Sequence, residues 1–129
     1  VAACLGHMAD RVVGVEIDPS LVQSALERLA ALGLGRVEIR AMDGLAGAVP
    51  GAPFDAIAVT GSVPELGMLT GLEAQLAPGG RLVCAVGQDP AMEVKLVIRI
   101  GGSDFRRTSL FETSVPRLAN CPKPRSFVF

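Results

Sequence analysis

The chain of 129 residues contains no Trp, no Tyr and only five Phe. It therefore lacks the usual platforms for stacking nucleic-acid bases and the usual large anchors of protein interfaces. Its 12 Lys and Arg residues nearly balance its 13 Asp and Glu residues, and the two signs are interspersed, so no basic surface is expected. We expect neither a nucleic acid nor a membrane as a partner.

Long apolar runs are also missing. No run reaches the roughly 20 residues that a membrane-spanning helix needs, and the N-terminus lacks the basic flank of a signal peptide. A cytoplasmic location is the default expectation. The three cysteines, Cys4, Cys84 and Cys121, are odd in number, widely spaced and outside any metal-ligand pattern, so we expect reduced packing residues and no metal site.

Half of the residues are apolar, and the length suits one domain with a core of its own. Helical and strand-like patterns alternate along the chain, which predicts a doubly wound α/β fold with a mostly parallel sheet and a C-terminal antiparallel hairpin. Phe127 and Phe129 could pack back onto the body. The predicted helices are 1–9, 19–32 and 64–76, the parallel strands 12–16, 37–41, 54–60 and 81–86, and the hairpin strands 92–100 and 105–113.

Local chemistry supports several of these boundaries. Pro19 fits the first turn of a helix, and Gly33 fits its end. Residues 54–60 are nearly continuous in small and branched apolar side chains, which is typical of a buried central strand. Pro78-Gly79-Gly80 predicts a turn between helix and strand, and Gly101-Gly102-Ser103-Asp104 predicts the turn of the hairpin.

Glu16 is the most informative residue, because it stands at the carboxyl end of a predicted buried strand. Ligands of doubly wound folds lie outside these ends, where a carboxylate accepts hydrogen bonds from ribose hydroxyls. Asp43 follows the next parallel strand and would lie level with Glu16, although Gly44 also makes it an ordinary turn residue. Asp18 precedes Pro19 and is better explained as a helix cap. The pattern indicates an adenosine-containing cofactor.

Other reactive side chains have simpler interpretations. His7 is the only histidine and is expected at the surface, and Ser62 has neither a nearby histidine nor a nucleophile-elbow motif. Asp55 begins its strand, away from the crevice, and is expected to be structural. The arginines of the hairpin could meet an acidic peptide, but edge-strand cations more often prevent aggregation. These arginines are Arg99, Arg106 and Arg107.

Several segments, taken in order, are similar to those of one enzyme family. They are Val13-Gly14-Val15-Glu16, Met42-Asp43-Gly44, 53–60, 76–83, 104–113 and Val115-Pro116-Arg117-Leu118. Together they resemble the protein-L-isoaspartate O-methyltransferases among the class I methyltransferases. The resemblance covers nearly the whole chain, and its tail favours this family over other class I methyltransferases.

The resemblance implies a Rossmann-like fold, S-adenosyl-L-methionine as cofactor, and methyl transfer to L-isoaspartyl residues of damaged proteins or peptides in protein repair. Glu16 would hold the ribose, Asp43 would accept from the adenine amino group, and Gly44 would allow close approach to the ring. Ile17 and Leu45 would flank the ring. The cofactor-binding residues implied are Glu16, Ile17, Asp43, Gly44, Leu45 and Thr60.

In this family, the glycine-rich turn for the methionine part of the cofactor and the serine-bearing substrate loop precede the segment that resembles 1–10. We therefore expect 1–129 to be a single partial methyltransferase domain that lacks the N-terminal strand and is inactive alone. That strand would lie between the strands ending at Glu16 and Thr60, so the chain alone should fold poorly or dimerise. The catalytic residues and the natural oligomeric state stay unassigned.

Three other functions stay open at this stage. A class I methyltransferase could act on another acceptor, because the cofactor half carries no information about the substrate. The chain could also be a truncated, non-catalytic domain. A dinucleotide-dependent reductase fits the tail and the Pro-Gly-Gly turn less well.

Overall fold

A computed structural model of the chain describes residues 1–122, so the predicted packing of Phe127 and Phe129 lies outside them. The chain divides into two compact units, the first comprising Val1–Gly51 and the second beginning at Ala52. Each unit has its own sheet, with two strands in the first and four in the second. Both sheets contain a parallel strand pair, as the predicted α/β class requires.

The first unit follows the predicted order of helix, strand, helix and strand. Helix α1 is Ala2–Met8, β1 is Val13–Glu16, α2 is Pro19–Ala31 and β2 is Glu38–Ala41. Strands β1 and β2 are parallel, with Glu16 opposite Ala41 at their carboxyl ends. Every boundary lies within one residue of the prediction, because hydrophobic period and cap residues agree along this segment.

Local chemistry at both ends explains helix α2. The side chain of Asp18 accepts a hydrogen bond of 2.8 Å from the backbone N–H of Ser20, and Pro19 occupies the first turn, so the capping role predicted for Asp18 is confirmed. Gly33 has a φ of +70°, which glycine adopts without strain, and it ends the helix. A buried cluster in the core of the unit is formed by Leu29, Leu34 and Val37.

The second unit contains a four-stranded sheet in the order β3-β4-β5-β6. Strand β3 is Phe54–Val63, β4 is Leu76–Gln88, β5 is Ala91–Gly101 and β6 is Asp104–Thr113. The pair β3–β4 is parallel and the other two pairs are antiparallel, so the hairpin is confirmed. Its core includes Val63, Leu69, Leu72, Leu76, Leu82, Cys84 and Val97.

The helix predicted over 64–76 is wrong in extent. The structure has a 3-10 turn, Leu66–Leu69, followed by the short helix α3, Thr70–Glu73. Gly67 and Gly71 lower the helix propensity of this segment. In addition, Gln75 O accepts a hydrogen bond of 2.8 Å from Phe54 N, which draws the next residues into the sheet.

The turn predicted at Pro78-Gly79-Gly80 is an irregularity inside β4. The register between β3 and β4 shifts here, and Gly79 has a φ of +78°. A Cβ on Gly80 would lie 2.9 Å from the carbonyl oxygen of Phe54, so only glycine allows this approach. The Pro-Gly-Gly sequence therefore bends a strand without ending it.

Strand β3 also departs from the prediction. It continues past Thr60 to Val63, with a second register shift between Ala58 and Ser62. Its first seven residues are exposed or half-buried, whereas a buried central strand was predicted. Among residues 1–122, no strand pairs with the second edge of β3 along 54–60, which explains the exposure.

The prediction that the hairpin arginines are exposed cations on edge strands is wrong for Arg99, which is half-buried on the inner strand β5. Arg107 forms an ion pair with Glu73, and Arg99 Nη1 donates a hydrogen bond of 2.5 Å to Leu76 O. Both guanidinium groups lie within 6 Å of the Phe105 ring, at 5.9 Å for Arg99 and 5.5 Å for Arg107. Arg106 is exposed and fits the predicted role.

The cysteines differ in their surroundings. Cys84 and Cys121 are buried, as predicted for packing residues, whereas Cys4 is exposed on α1. The prediction for Cys4 was wrong because α1 packs through Gly6, its buried residue. A Cβ on Gly6 would lie 2.7 Å from Val37 Cγ2. His7 is exposed, as predicted.

Candidate functional site

The turn between β1 and α2 fixes the carboxylate of Glu16. This half-buried residue ends β1, and its Oε1 atom accepts a hydrogen bond of 3.0 Å from the backbone N–H of Asp18. Because Asp18 is itself held by the cap to Ser20, the backbone donor has a fixed position. Within residues 1–122, Oε2 of Glu16 has no hydrogen-bond partner.

The turn after β2 lies at the same end of the sheet. Met42 N donates a hydrogen bond of 3.0 Å to Glu16 O, which joins the two strand ends. Asp43 Oδ1 accepts a hydrogen bond of 2.9 Å from Leu45 N, as in an Asx turn. Glu16 therefore ends one parallel strand, and Asp43 follows the carboxyl end of its neighbour.

Position 44 requires glycine because its backbone lies very close to β1. A Cβ on Gly44 would lie 2.9 Å from Val15 Cγ2, closer than real side chains pack. The turn therefore lies directly against the strand that carries Glu16. Two apolar residues accompany the acids, namely Ile17, which is 40% exposed, and the half-buried Leu45.

Thr60 belongs to the second unit, whereas the other five predicted residues belong to the first. It is exposed and lies in the irregular part of β3 between Ala58 and Ser62. The structure thus brings Glu16, Asp43 and Gly44 to one end of the sheet of the first unit, whereas Thr60 lies on β3 of the second unit.

The sequence did not predict a clamp at that end of β3. Ser62 is fully buried. Its N–H donates a hydrogen bond of 2.9 Å to Pro116 O, and its carbonyl accepts one of 3.0 Å from Leu118 N. Its hydroxyl donates a hydrogen bond of 3.1 Å to Val115 O. We call residues 114–118 the C-terminal strap. A Cβ on Gly61 would lie 2.6 Å from Leu118 Cδ2, so Gly61 admits the strap.

Two nucleophilic side chains of this unit, those of Cys84 and Ser62, are not available for covalent chemistry. Burial raises the pKa of the Cys84 thiol to about 12, so it stays protonated at neutral pH. The hydroxyl of Ser62 is committed to the strap. Residues 1–122 contain no cluster of three or more possible metal ligands. None of the helices described is both long and apolar enough to cross a bilayer.

Parallel strands with acids after their carboxyl ends, followed by an antiparallel hairpin, define a Rossmann-like α/β protein. The family model of the protein-L-isoaspartate(D-aspartate) O-methyltransferases matches residues 1–114. The chain therefore belongs to this family, and the family inferred from the sequence is confirmed.

Curated relatives extend this result. A protein-L-isoaspartate O-methyltransferase of Rhodopseudomonas palustris is 42% identical over 110 residues, which are 84% of this chain and 50% of that protein. One of Methanoculleus marisnigri is 44% identical over 101 residues, 78% of this chain and 45% of that protein. The chain spans about half the length of the curated relatives it matches.

Solved structures share the fold. A structure described as a protein-L-isoaspartate O-methyltransferase of Plasmodium falciparum, in complex with S-adenosyl-L-homocysteine, matches with a TM-score of 0.69 and 23% identity. The match covers 84% of this chain and 52% of that one. A second protein-L-isoaspartate O-methyltransferase matches with a TM-score of 0.74, 23% identity and coverage of 84% and 34%. The predicted α/β class is thus confirmed.

Proposed function

We propose that this chain provides the adenosine-binding part of a methyltransferase that uses S-adenosyl-L-methionine. The methyl acceptor would be the carboxylate of L-isoaspartyl residues in damaged proteins, so that the activity serves protein repair. The observation that carries the proposal is the position of Glu16 and Asp43 at the carboxyl ends of neighbouring parallel strands. Membership of the family supports the choice of acceptor.

The residues of the first unit suit an adenosine group. One oxygen of Glu16 is held by Asp18 N, so the other can accept from ribose hydroxyls without any loss of orientation. Gly44 lets the turn after β2 lie directly against Val15, where a side chain would clash. Ile17 and Leu45 would flank the adenine ring with apolar surface, and Asp43 would accept from its amino group. Thr60, on β3 of the second unit, stays a prediction from the resemblance.

Methyl transfer needs little acid–base machinery. The bound cofactor would supply a methyl group on a positively charged sulfur, which the acceptor carboxylate oxygen attacks while the carbon–sulfur bond breaks and its electron pair stays on sulfur. No proton is transferred in this step. Alignment and exclusion of water can therefore provide most of the rate enhancement. The Ser62 hydroxyl is hydrogen-bonded to Val115 O and the Cys84 thiol is buried, which agrees with a direct transfer that uses no nucleophile of the protein.

Two alternatives follow from different assumptions about the rest of the protein. Another acceptor is compatible with the same adenosine site, and a non-catalytic role is compatible with the fold alone. Family membership favours the isoaspartyl acceptor over both. A cytoplasmic location and the absence of nucleic-acid and membrane partners stay predictions from composition, and isoaspartyl-containing proteins or peptides as partners stay a prediction from the resemblance.

The acceptor can be tested by transfer of a labelled methyl group in the protein at the length that its gene encodes. We expect label in an isoaspartyl peptide and none in the same peptide with a normal aspartyl residue. Glu16→Ala should reduce transfer, while Glu27→Ala, on the exposed side of α2, should not. Equal labelling of the two peptides would reject the isoaspartyl acceptor.

A further inference from the structure

Asp18 forms hydrogen bonds in two directions at the junction of β1 and α2. Its backbone N–H donates one of 3.0 Å to Glu16 Oε1. Its carboxylate oxygen Oδ1 accepts one of 2.8 Å from Ser20 N and one of 2.6 Å from Ser20 Oγ. Its carbonyl accepts one of 3.1 Å from Val22 N in the first turn of α2. The direction of the N–H group that meets Glu16 is therefore coupled to the cap of the helix.

Hydrogen bonds, and not burial, hold this turn, because Asp18, Pro19 and Ser20 are all exposed. Asp18 has a φ of −88° and a ψ of 113°, which lie in the extended region that a residue before proline prefers. Its carboxylate adds a second constraint by holding both polar groups of Ser20. The hydrogen bond from the Ser20 side chain lowers the pKa of Asp18, so the acceptor is ionised at neutral pH.

The cap affects Glu16 because a glutamate side chain has three rotatable bonds that must be ordered before it can bind a ligand. With Oε1 held by the Asp18 N–H, the carboxylate needs no further ordering when hydroxyl groups bind to Oε2. Without the cap, the N–H would be free to turn away. The same hydroxyl contacts would then have to order the side chain as well, and affinity would fall.

We propose that Asp18 and Ser20 are positioning residues for the cofactor ribose. The cap directs the Asp18 N–H to Glu16, and Glu16 in that orientation accepts from the 2′ and 3′ hydroxyls. This role rests on the proposed function, since it needs an adenosine group at Glu16, and it adds two residues that act through Glu16. The cap thus controls how much the ribose hydroxyls contribute to affinity.

A cap that only stabilises α2 would have a different effect. Its loss would lower the stability of the fold and weaken all ligands of the site alike. Loss of a positioning cap weakens a ligand with ribose hydroxyls more than a ligand without them. The ratio of the affinities for S-adenosyl-L-homocysteine and its 2′,3′-dideoxy analogue therefore separates the two roles.

Calorimetry on the protein at the length that its gene encodes measures this ratio. We expect the wild type to bind S-adenosyl-L-homocysteine about ten-fold to one-hundred-fold more tightly than the analogue. Asp18→Ala should reduce the ratio about three-fold to ten-fold, which corresponds to the loss of a helix cap. Asp18→Asn should keep the ratio, because Asn caps helices equally well. The control Gly33→Ala strains the other end of α2, at a φ of +70°, and should also keep it.

The positioning role and the proposed adenosine site fail in different comparisons. An unchanged ratio in Asp18→Ala, or an equal reduction in Gly33→Ala, would overturn the positioning role and leave the site at Glu16 intact. A wild type that binds both ligands equally, or neither, would overturn that site and the positioning role with it. If Asp18→Ala does not fold, Ser20→Ala removes only the hydroxyl contact and should still reduce the ratio. An unchanged ratio in that variant would also reject the positioning role.

Discussion

Arg107 on β6 holds the carboxylate of Glu73 on α3 by two hydrogen bonds, from Nε to Oε1 at 2.9 Å and from Nη2 to Oε2 at 2.6 Å. The Glu73 side chain is only 3% exposed, so a buried charge is paired in the geometry that suits a guanidinium. The hydrogen bond to Glu73 raises the pKa of Arg107. The pair joins the outer strand of the sheet to a helix 34 residues earlier in the chain.

Arg107→Ala should therefore destabilise the chain. It leaves the Glu73 carboxylate buried without a cation, which costs about 3–5 kcal/mol in fully buried pairs and about 2 kcal/mol here, because Arg107 is 40% exposed. Urea unfolding should show this loss. The double variant Glu73→Gln with Arg107→Gln should recover part of it, because no buried charge remains.

Arg106→Ala is the matched control for this prediction. Arg106 is the neighbouring residue of β6 and is exposed, so its replacement should change the free energy of unfolding by less than about 0.5 kcal/mol. Similar losses for Arg106→Ala and Arg107→Ala would contradict a specific role for the ion pair.

Gly44→Ala should disturb the turn after β2. The new methyl group would lie 2.9 Å from Val15 Cγ2, so either the turn or the strand must move. We expect lower stability, by about 1–3 kcal/mol, and weaker binding of S-adenosylhomocysteine. Thermal unfolding and calorimetry measure the two effects.

A second substitution tests the contact itself. Val15→Ala removes the methyl group that an alanine at position 44 would meet, so the cost of Gly44→Ala should be smaller in the Val15→Ala background. Gly35→Ala is the control, since a Cβ there meets nothing within 4 Å. Equal costs in both backgrounds would exclude this contact as the cause.

The buried thiol of Cys84 predicts a specific response to alkaline pH. Burial raises its pKa from about 9 to about 12, so the unfolded chain loses the proton first. The stability associated with the protonated thiol is complete below pH 9 and is lost as the pH rises towards 12. Cys84→Ala should lose less stability than the wild type between pH 8 and 11 in urea unfolding. Parallel losses in the two proteins would contradict this pKa.

Thiol reagents provide a separate check. Cys4 is exposed, whereas Cys84 and Cys121 are buried, so one thiol of the native chain should react rapidly and two slowly. Cys4→Ser should remove the rapid phase.

The sequence predicted the first unit well because its structure is set by local signals. The hydrophobic period of α2, the Asp18 cap and the short strands on both sides all agree, and parallel pairing then places Glu16 beside the turn of Asp43. The same holds for the hairpin, whose turn at Gly102 has a φ of +53°, which suits glycine.

The second unit was predicted less well because long-range contacts determine it. The clamp of the C-terminal strap on Ser62 and the pairing of Arg107 with Glu73 each join segments far apart in sequence, and no local pattern announces them. Pairing of Phe54 with Gln75 shortened the predicted helix in the same way. The motif at 115–118 is visible in the sequence, but only the structure shows its contact with Ser62.

The central claim is the adenosine site at Glu16. Calorimetric titration of the chain with S-adenosyl-L-homocysteine tests it most directly, with circular dichroism to establish that the chain is folded. We predict saturable binding that Glu16→Ala weakens by about 1.5–3 kcal/mol, the range of a charged hydrogen bond, and that Glu27→Ala leaves unchanged. A folded chain that does not bind the ligand, or that binds it equally well after Glu16→Ala, would contradict the proposed site.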